Sequence, residues 1–296
     1  MQAESLNQQH AITNRIIFRQ YHHSVVAEIT SDYATARVFL YGAQVLSFIP
    51  NGHNELLFVS QNSFYQAGKA IRGGIPVCWP WFGGHPSEKD KPSHGFARLS
   101  QWTVLHSQTE NGNVRLLLGL SDTKETRGFW PFSFEATMTI TVGKTLQVAL
   151  MTRNAGTQAF SLTGALHTYF RVSDSEQISI EGLNNTRYMD DVTRRESIQK
   201  DGLLRLKGEV DRCYLETTRT CIIDDPEYKR KIKVEKAGST TTVVWNPGAE
   251  LATKMQDLGD WEYASMVCVE AANAMDDLIY LNPGQSHELS TRISVL

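Results

Sequence analysis

Two side chains in this 296-residue sequence stand where an acid–base pair could work. His167 lies in Gly164-Ala165-Leu166-His167-Thr168-Tyr169-Phe170, where Leu166 and Phe170 would partly enclose an imidazole. Glu270 follows Met266-Val267-Cys268-Val269, and a carboxylate after so apolar a run is costly unless it is paired or functional. An imidazole and a carboxyl with pKa values near the working pH can exchange protons with a substrate, each typically worth ~10²–10⁴-fold in rate. Arg72 and Arg98 add a different chemistry, because a planar guanidinium fork binds phosphate through two hydrogen bonds. Each residue has an ordinary alternative. His167 would be a hydrogen-bonded core histidine, Glu270 a strand end reaching solvent, and the arginines surface ion pairs.

The two arginines bracket the most unusual stretch of the chain, KAIRGGIPVCWPWFGGHPSEKDKPSHGFAR, from Lys69 to Arg98. Five glycines and four prolines in these 30 residues preclude one regular element. Trp79, Trp81, Phe82 and Phe96 argue for an ordered loop, with these aromatics as anchors. Long ordered loops in compact proteins commonly bind or catalyse. Lys69 is a weaker phosphate candidate, and the charged run Ser87–Lys91 reads as solvated. His94 falls inside this loop. The sequence holds no HxH or HExxH spacing, so no metal site is expected.

Composition narrows the partners. A net charge of −3 provides no global basic field, which argues against nucleic acid as a ligand. Cys78, Cys213, Cys221 and Cys268 are scattered without a CxxC, the usage of reduced thiols in a cytoplasmic protein. No secretory h-region and no apolar run of membrane-spanning length are present, so no membrane partner is expected.

The elements that must position these residues read as strands. Short apolar runs at Val25–Thr30, Ala36–Leu40, Val45–Ile49 and Leu56–Val59 are separated by turn signals at sheet-like spacing. Glu110-Asn111-Gly112-Asn113 predicts a hairpin. From Phe132 to Val142, apolar and polar residues alternate strictly, as a half-buried antiparallel strand requires. Phe160–Phe170 continues the β pattern and delivers His167, and Met266–Val269 ends at Glu270. Leu289–Val295 closes the chain with the same alternation. With no long amphipathic helix, the expectation is all-β: a large antiparallel sandwich or barrel. Residues 1–296 read as a single domain, with 1–14 a flexible N-terminal segment.

IRGGIPVCWPWFG followed by HGFAR, LTGALHTYF around His167, and VWNPG through MVCVEAANA around Glu270 together resemble the aldose 1-epimerase superfamily. The likeness is nearest to its hexose-6-phosphate mutarotase (glucose-6-phosphate 1-epimerase) branch and spans roughly Phe39 to Pro283. It implies the β-supersandwich of galactose mutarotase-like proteins, no cofactor, and a small hexose-6-phosphate as substrate. The chain is expected to be a monomer or weak homo-oligomer. By this resemblance Glu270 is the base and His167 the acid, with Arg72, Ser93, His94, Arg98 and Asp211 binding substrate. Ser93 departs from the branch, which often has Gln there, and a shorter side chain would reach the ligand only through water. Opening a pyranose needs removal of the C1 hydroxyl proton and protonation of the ring oxygen, so the two reactive groups are expected to hold a sugar between them. A mutarotase for neutral aldoses and a non-catalytic carbohydrate-binding sandwich are the alternative readings.

Overall fold

The computed structural model describes residues 2–296, and its regular structure is dominated by antiparallel strands. Two eight-stranded sheets form the body. One runs Ser179–Glu181, Cys221–Asp225, Arg230–Ala237, Ser286–Val295, Leu146–Asn154, Phe134–Val142, Asn113–Ser121, Thr103–Glu110. The other runs Arg195–Ile198, Arg187–Asp190, Val210–Tyr214, Thr241–Asn246, Met266–Asn273, Gly164–Leu166, Val77–Cys78, and Tyr169–Arg171 also pairs with Met266–Asn273. A four-stranded meander covers Ile16–Pro50.

Alternation explains how the sheets meet. Phe134, Ala136, Met138, Ile140 and Val142 are buried while the residues between them are not, matching the period-two pattern of the sequence. They share one buried cluster with Val148 and Ile293 of their own sheet and with Val267, Val269 and Ala271 of the other. The hairpin at Asn111-Gly112 forms as expected, both residues adopting positive φ.

Four expectations change. Leu56–Val59 makes only isolated bridges, because its N–H and C=O groups are divided among Phe48, Tyr169, Arg171 and Gly74. Phe160–Phe170 breaks into Phe160–Leu162, Gly164–Leu166 and Tyr169–Arg171. At the breaks, Thr163 and His167 donate to the carbonyls of Pro80 and Pro76, residues with no N–H to continue a ladder. The strand begun at Met266 runs on through Asn273, which puts Glu270 inside it. The N-terminal segment forms a helix, Ala3–His10, pinned by the fully buried Leu6; Met1 lies outside the described residues.

Candidate active site

Glu270 sits on the face of its sheet that points away from the main core. Val267, Val269 and Ala271 enter that core, so Met266, Cys268, Glu270 and Ala272 must line the opposite face. Cross-strand register builds the floor around them. Val243 is opposite Glu270 and Trp245 opposite Cys268, with Cys213 and Asp211 one strand further out. His167 occupies the gap between Gly164–Leu166 and Tyr169–Arg171, both of which pair with the Glu270 strand. The interruption that breaks the strand thus aims the imidazole at the carboxylate.

His167 Nδ1 and Glu270 Oε1 are 3.2 Å apart, close enough for an ion pair yet not aligned as a hydrogen bond. That atom pair leaves no space for a pyranose between the two groups, contrary to the expectation of a sandwiched sugar. Nδ1 and both carboxyl oxygens lack a hydrogen-bond partner although the two residues are 8% and 1% exposed. Leaving a buried polar group unpaired costs about 1–3 kcal/mol, so three together mark a place built for something other than stability. Burial holds the His167 pKa well below its ordinary value, and His94, Arg72 and Arg98 push the same way. Burial raises that of Glu270 well above the carboxylate range; Asp211 adds to this and Arg98 opposes it.

Asp211 lines a cavity of about 190 Å³ with Phe82, Gly83, Thr163, Cys213 and Val243, next to Glu270 in the register. Burial, then Asp191, Glu209 and Asp190, raise its pKa to about 6. His94 adopts φ of 61°, rare for a residue with a Cβ, and accepts from the Gly83 N–H through Nδ1 at 3.2 Å. In a neutral ring that assigns the proton to Nε2, making the free side a donor. The ring stays neutral because burial, with Arg98 and Arg72, lowers its pKa to about 3. Its edge meets His167 with centroids 5.9 Å apart.

The arginines are not equivalent. Arg72 donates from Nε and Nη2 to both oxygens of Asp257, the nearest contacts being 3.2 and 3.0 Å, and from Nη1 to the Tyr169 hydroxyl at 3.0 Å. Burial works against its charge, but Tyr169 and Asp257 outweigh that and raise its pKa. Arg98 donates to the Ser93 carbonyl at 2.8 Å and keeps a buried Nε without a partner. Ser93 is exposed, its hydroxyl turned to the Gly83 carbonyl at 3.3 Å. Gly74 serves the fold here: at φ of 63° a Cβ would lie 2.1 Å from the Val45 carbonyl oxygen.

Tyr169, Trp245 and Asp257 were not singled out from sequence. Tyr169 could have been, since i and i+2 share a face in extended backbone and it follows His167 by two. Nothing near Asp257 in the chain signals its partner. His167, Cys268 and Glu270 bring three donor atoms within 4.8 Å of one another and so could approach a metal ion. Arg72 and Arg98 set positive charge against the same floor, and burial holds the Cys268 thiol well above its ordinary pKa, which weighs against a cation.

The family model for aldose 1-epimerase matches residues 26–294. The chain belongs to the aldose 1-epimerase family. Among its relatives, a protein of Escherichia coli (strain K12) named "Putative glucose-6-phosphate 1-epimerase" is 38% identical over 238 residues, 80% of this chain and 79% of the relative. A plant protein of that name, from Cenchrus ciliaris, is 37% identical over 260 residues, 84% of this chain and 78% of the relative. The crystal structure of a "putative mutarotase" from Salmonella typhimurium superposes with a TM-score of 0.91 at 32% identity, covering 97% of this chain and 95% of that one. The all-β, galactose mutarotase-like fold expected from sequence is therefore the fold of this aldose 1-epimerase family member. Among the described residues no helix is long and apolar enough to cross a membrane.

Proposed function

We propose that this protein is a hexose-6-phosphate mutarotase that interconverts the α and β anomers of glucose-6-phosphate. The observation that carries the reading is the buried His167–Glu270 pair with its three unpartnered polar atoms, on the sheet face that also holds Asp211. The names of the relatives support the substrate class.

The pair needs only one proton to work. A neutral carboxylic acid with neutral imidazole, and a carboxylate with imidazolium, hold the same number of protons and differ in where it resides. Burial favours the uncharged arrangement at rest. In the charged arrangement Glu270 takes the C1 hydroxyl proton while His167 protonates the ring oxygen. The C–O bond opens, the carbonyl group rotates, and closure on its other face returns both protons. His94 Nε2 and Asp211 supply a donor and an acceptor to sugar hydroxyls, and Arg72 with Arg98 meet the phosphate. Ser93 contributes through its carbonyl, which positions Arg98.

One observation favours a second reading. With its Nε and Nη2 already on Asp257, Arg72 has less of its fork to offer a phosphate, as would suit a neutral aldose. The deciding experiment is anomer exchange measured by NMR on glucose-6-phosphate and on glucose with one protein preparation. Faster exchange of the phosphate is expected. Equal rates would favour the neutral-aldose reading, and no acceleration of either would leave a carbohydrate-binding sandwich. The reading treats residues 1–296 as one unit, supported by a buried cluster running from Leu6 to Ile293. It places the chain in the cytoplasm, supported by four free, buried cysteines, and takes the single chain as the working unit.

A further inference from the structure

Tyr169 joins Arg72 to His167 directly. The Tyr169 ring lies on the His167 ring, with centroids 4.7 Å apart and planes 9° from parallel. Its hydroxyl accepts from Arg72 Nη1 at 3.0 Å. Trp245 stands edge-on to both rings at 6.0 and 5.9 Å, and its own face carries the Arg72 guanidinium at 6.0 Å. Tyr169 is 2% exposed, and its backbone N–H donates to the carbonyl of Gly74, in the same Arg72-Gly73-Gly74 turn that carries the arginine. A side chain packed on all sides passes a displacement to its neighbours instead of absorbing it.

We propose that Tyr169 is a positioning residue that links occupancy of the anion site at Arg72 to the placement of the His167 imidazole, so that the substrate phosphate acts on the rate of the chemistry at C1 as well as on binding. The inference rests on the phosphosugar reading and gives the phosphate a second task. Interactions with a remote group raise the rate when they order the reacting centre. Electrostatics act in the same direction. Arg72 and Arg98 both disfavour charge on His167, and a dianion beside them relieves that repulsion.

The test separates the phosphate from the sugar. Exchange of free glucose is followed with and without sulfate, a dianion too weakly basic to catalyse mutarotation itself. Sulfate is expected to raise the wild-type rate on glucose by at least ~5-fold, the lower end of typical coupling between sites. Tyr169→Phe keeps the stacked ring and removes the hydroxyl, so sulfate should activate it less than ~2-fold relative to its own rate without sulfate. On glucose-6-phosphate this variant should lose kcat more than it gains KM. A second arm needs no turnover. The imidazole resonances of His167 should shift as sulfate is titrated into wild type, and shift less in Tyr169→Phe and Arg72→Ala. Sulfate activation of Tyr169→Phe equal to wild type would overturn the proposal, and so would an unchanged His167 response in that variant or no response in wild type. If wild type exchanged neither sugar, the mutarotase reading would fall, and the His167 resonances would still decide the coupling.

Discussion

The Arg72 guanidinium meets the Asp257 carboxylate edge to edge, 185 residues apart in sequence, with Nη2 to Oδ2 at 3.0 Å. The bidentate edge of Arg72 is thereby held by the protein's own acid. Under the phosphosugar reading Asp257 is a rival to the substrate for that edge, and the first prediction follows from it. Asp257→Asn should lower the KM for glucose-6-phosphate and leave that for glucose unchanged. Arg72→Ala should reduce kcat/KM on glucose-6-phosphate by about 10–150-fold, since hydrogen bonds to charged groups contribute ~1.5–3 kcal/mol. Equal losses on both sugars would show that Arg72 serves only to hold the loop on Asp257.

Glu270→Gln should lower kcat at least ~10²-fold, as expected for lost base catalysis, with sugar-phosphate binding retained in calorimetry. The same substitution should stabilise the fold at alkaline pH. Because burial raises the Glu270 pKa above its unfolded value, the stability this group contributes is present below the ordinary carboxylate pKa and is lost as pH rises through the raised one. Glutamine carries no such loss. The gap in Tm between variant and wild type should therefore widen from pH 5 to pH 9, and a gap independent of pH would contradict the assignment.

The pH profile of kcat/KM offers a check on the neighbours of Glu270. Its basic limb should lie above the ordinary carboxylate range, because the pair loses its one working proton as pH rises through the raised Glu270 pKa. Asp211 raises this pKa and Arg98 lowers it. Asp211→Asn should thus move the limb to lower pH, and Arg98→Ala should move it higher. Shifts in the opposite sense would place the titrating base elsewhere.

Under the proposed mechanism His94 is a neutral donor through Nε2, since Nδ1 accepts from Gly83 and the ring pKa is lowered to about 3. His94→Ala should weaken kcat/KM on either sugar by ~10-fold, the scale of one hydrogen bond, and His94→Gln should restore part of it by offering an amide N–H. The basic and acid limbs of the profile should stay in place in both variants. A limb that moved would mean that His94 changes protonation during the cycle.

What the sequence alone determined is local chemistry and class. Strict alternation at Phe134–Val142 and the Asn111-Gly112 turn dictate antiparallel strands, because side chains in extended backbone alternate faces and type I′ turns need positive φ. Motif likeness led to His167, Glu270, His94, Asp211, Arg72 and Arg98, and the fold brings these six into one neighbourhood. Tertiary structure decided how they meet. That His167 lies against Glu270 depends on one run breaking twice at proline carbonyls and on a register joining residues 95 to 109 apart in the chain, which no local pattern encodes. That Arg72 is shared between Asp257 and Tyr169 depends on a loop closing across the sheet. A guanidinium's partners are set by which acids the folded chain brings within reach, and sequence separation carries no information about that distance.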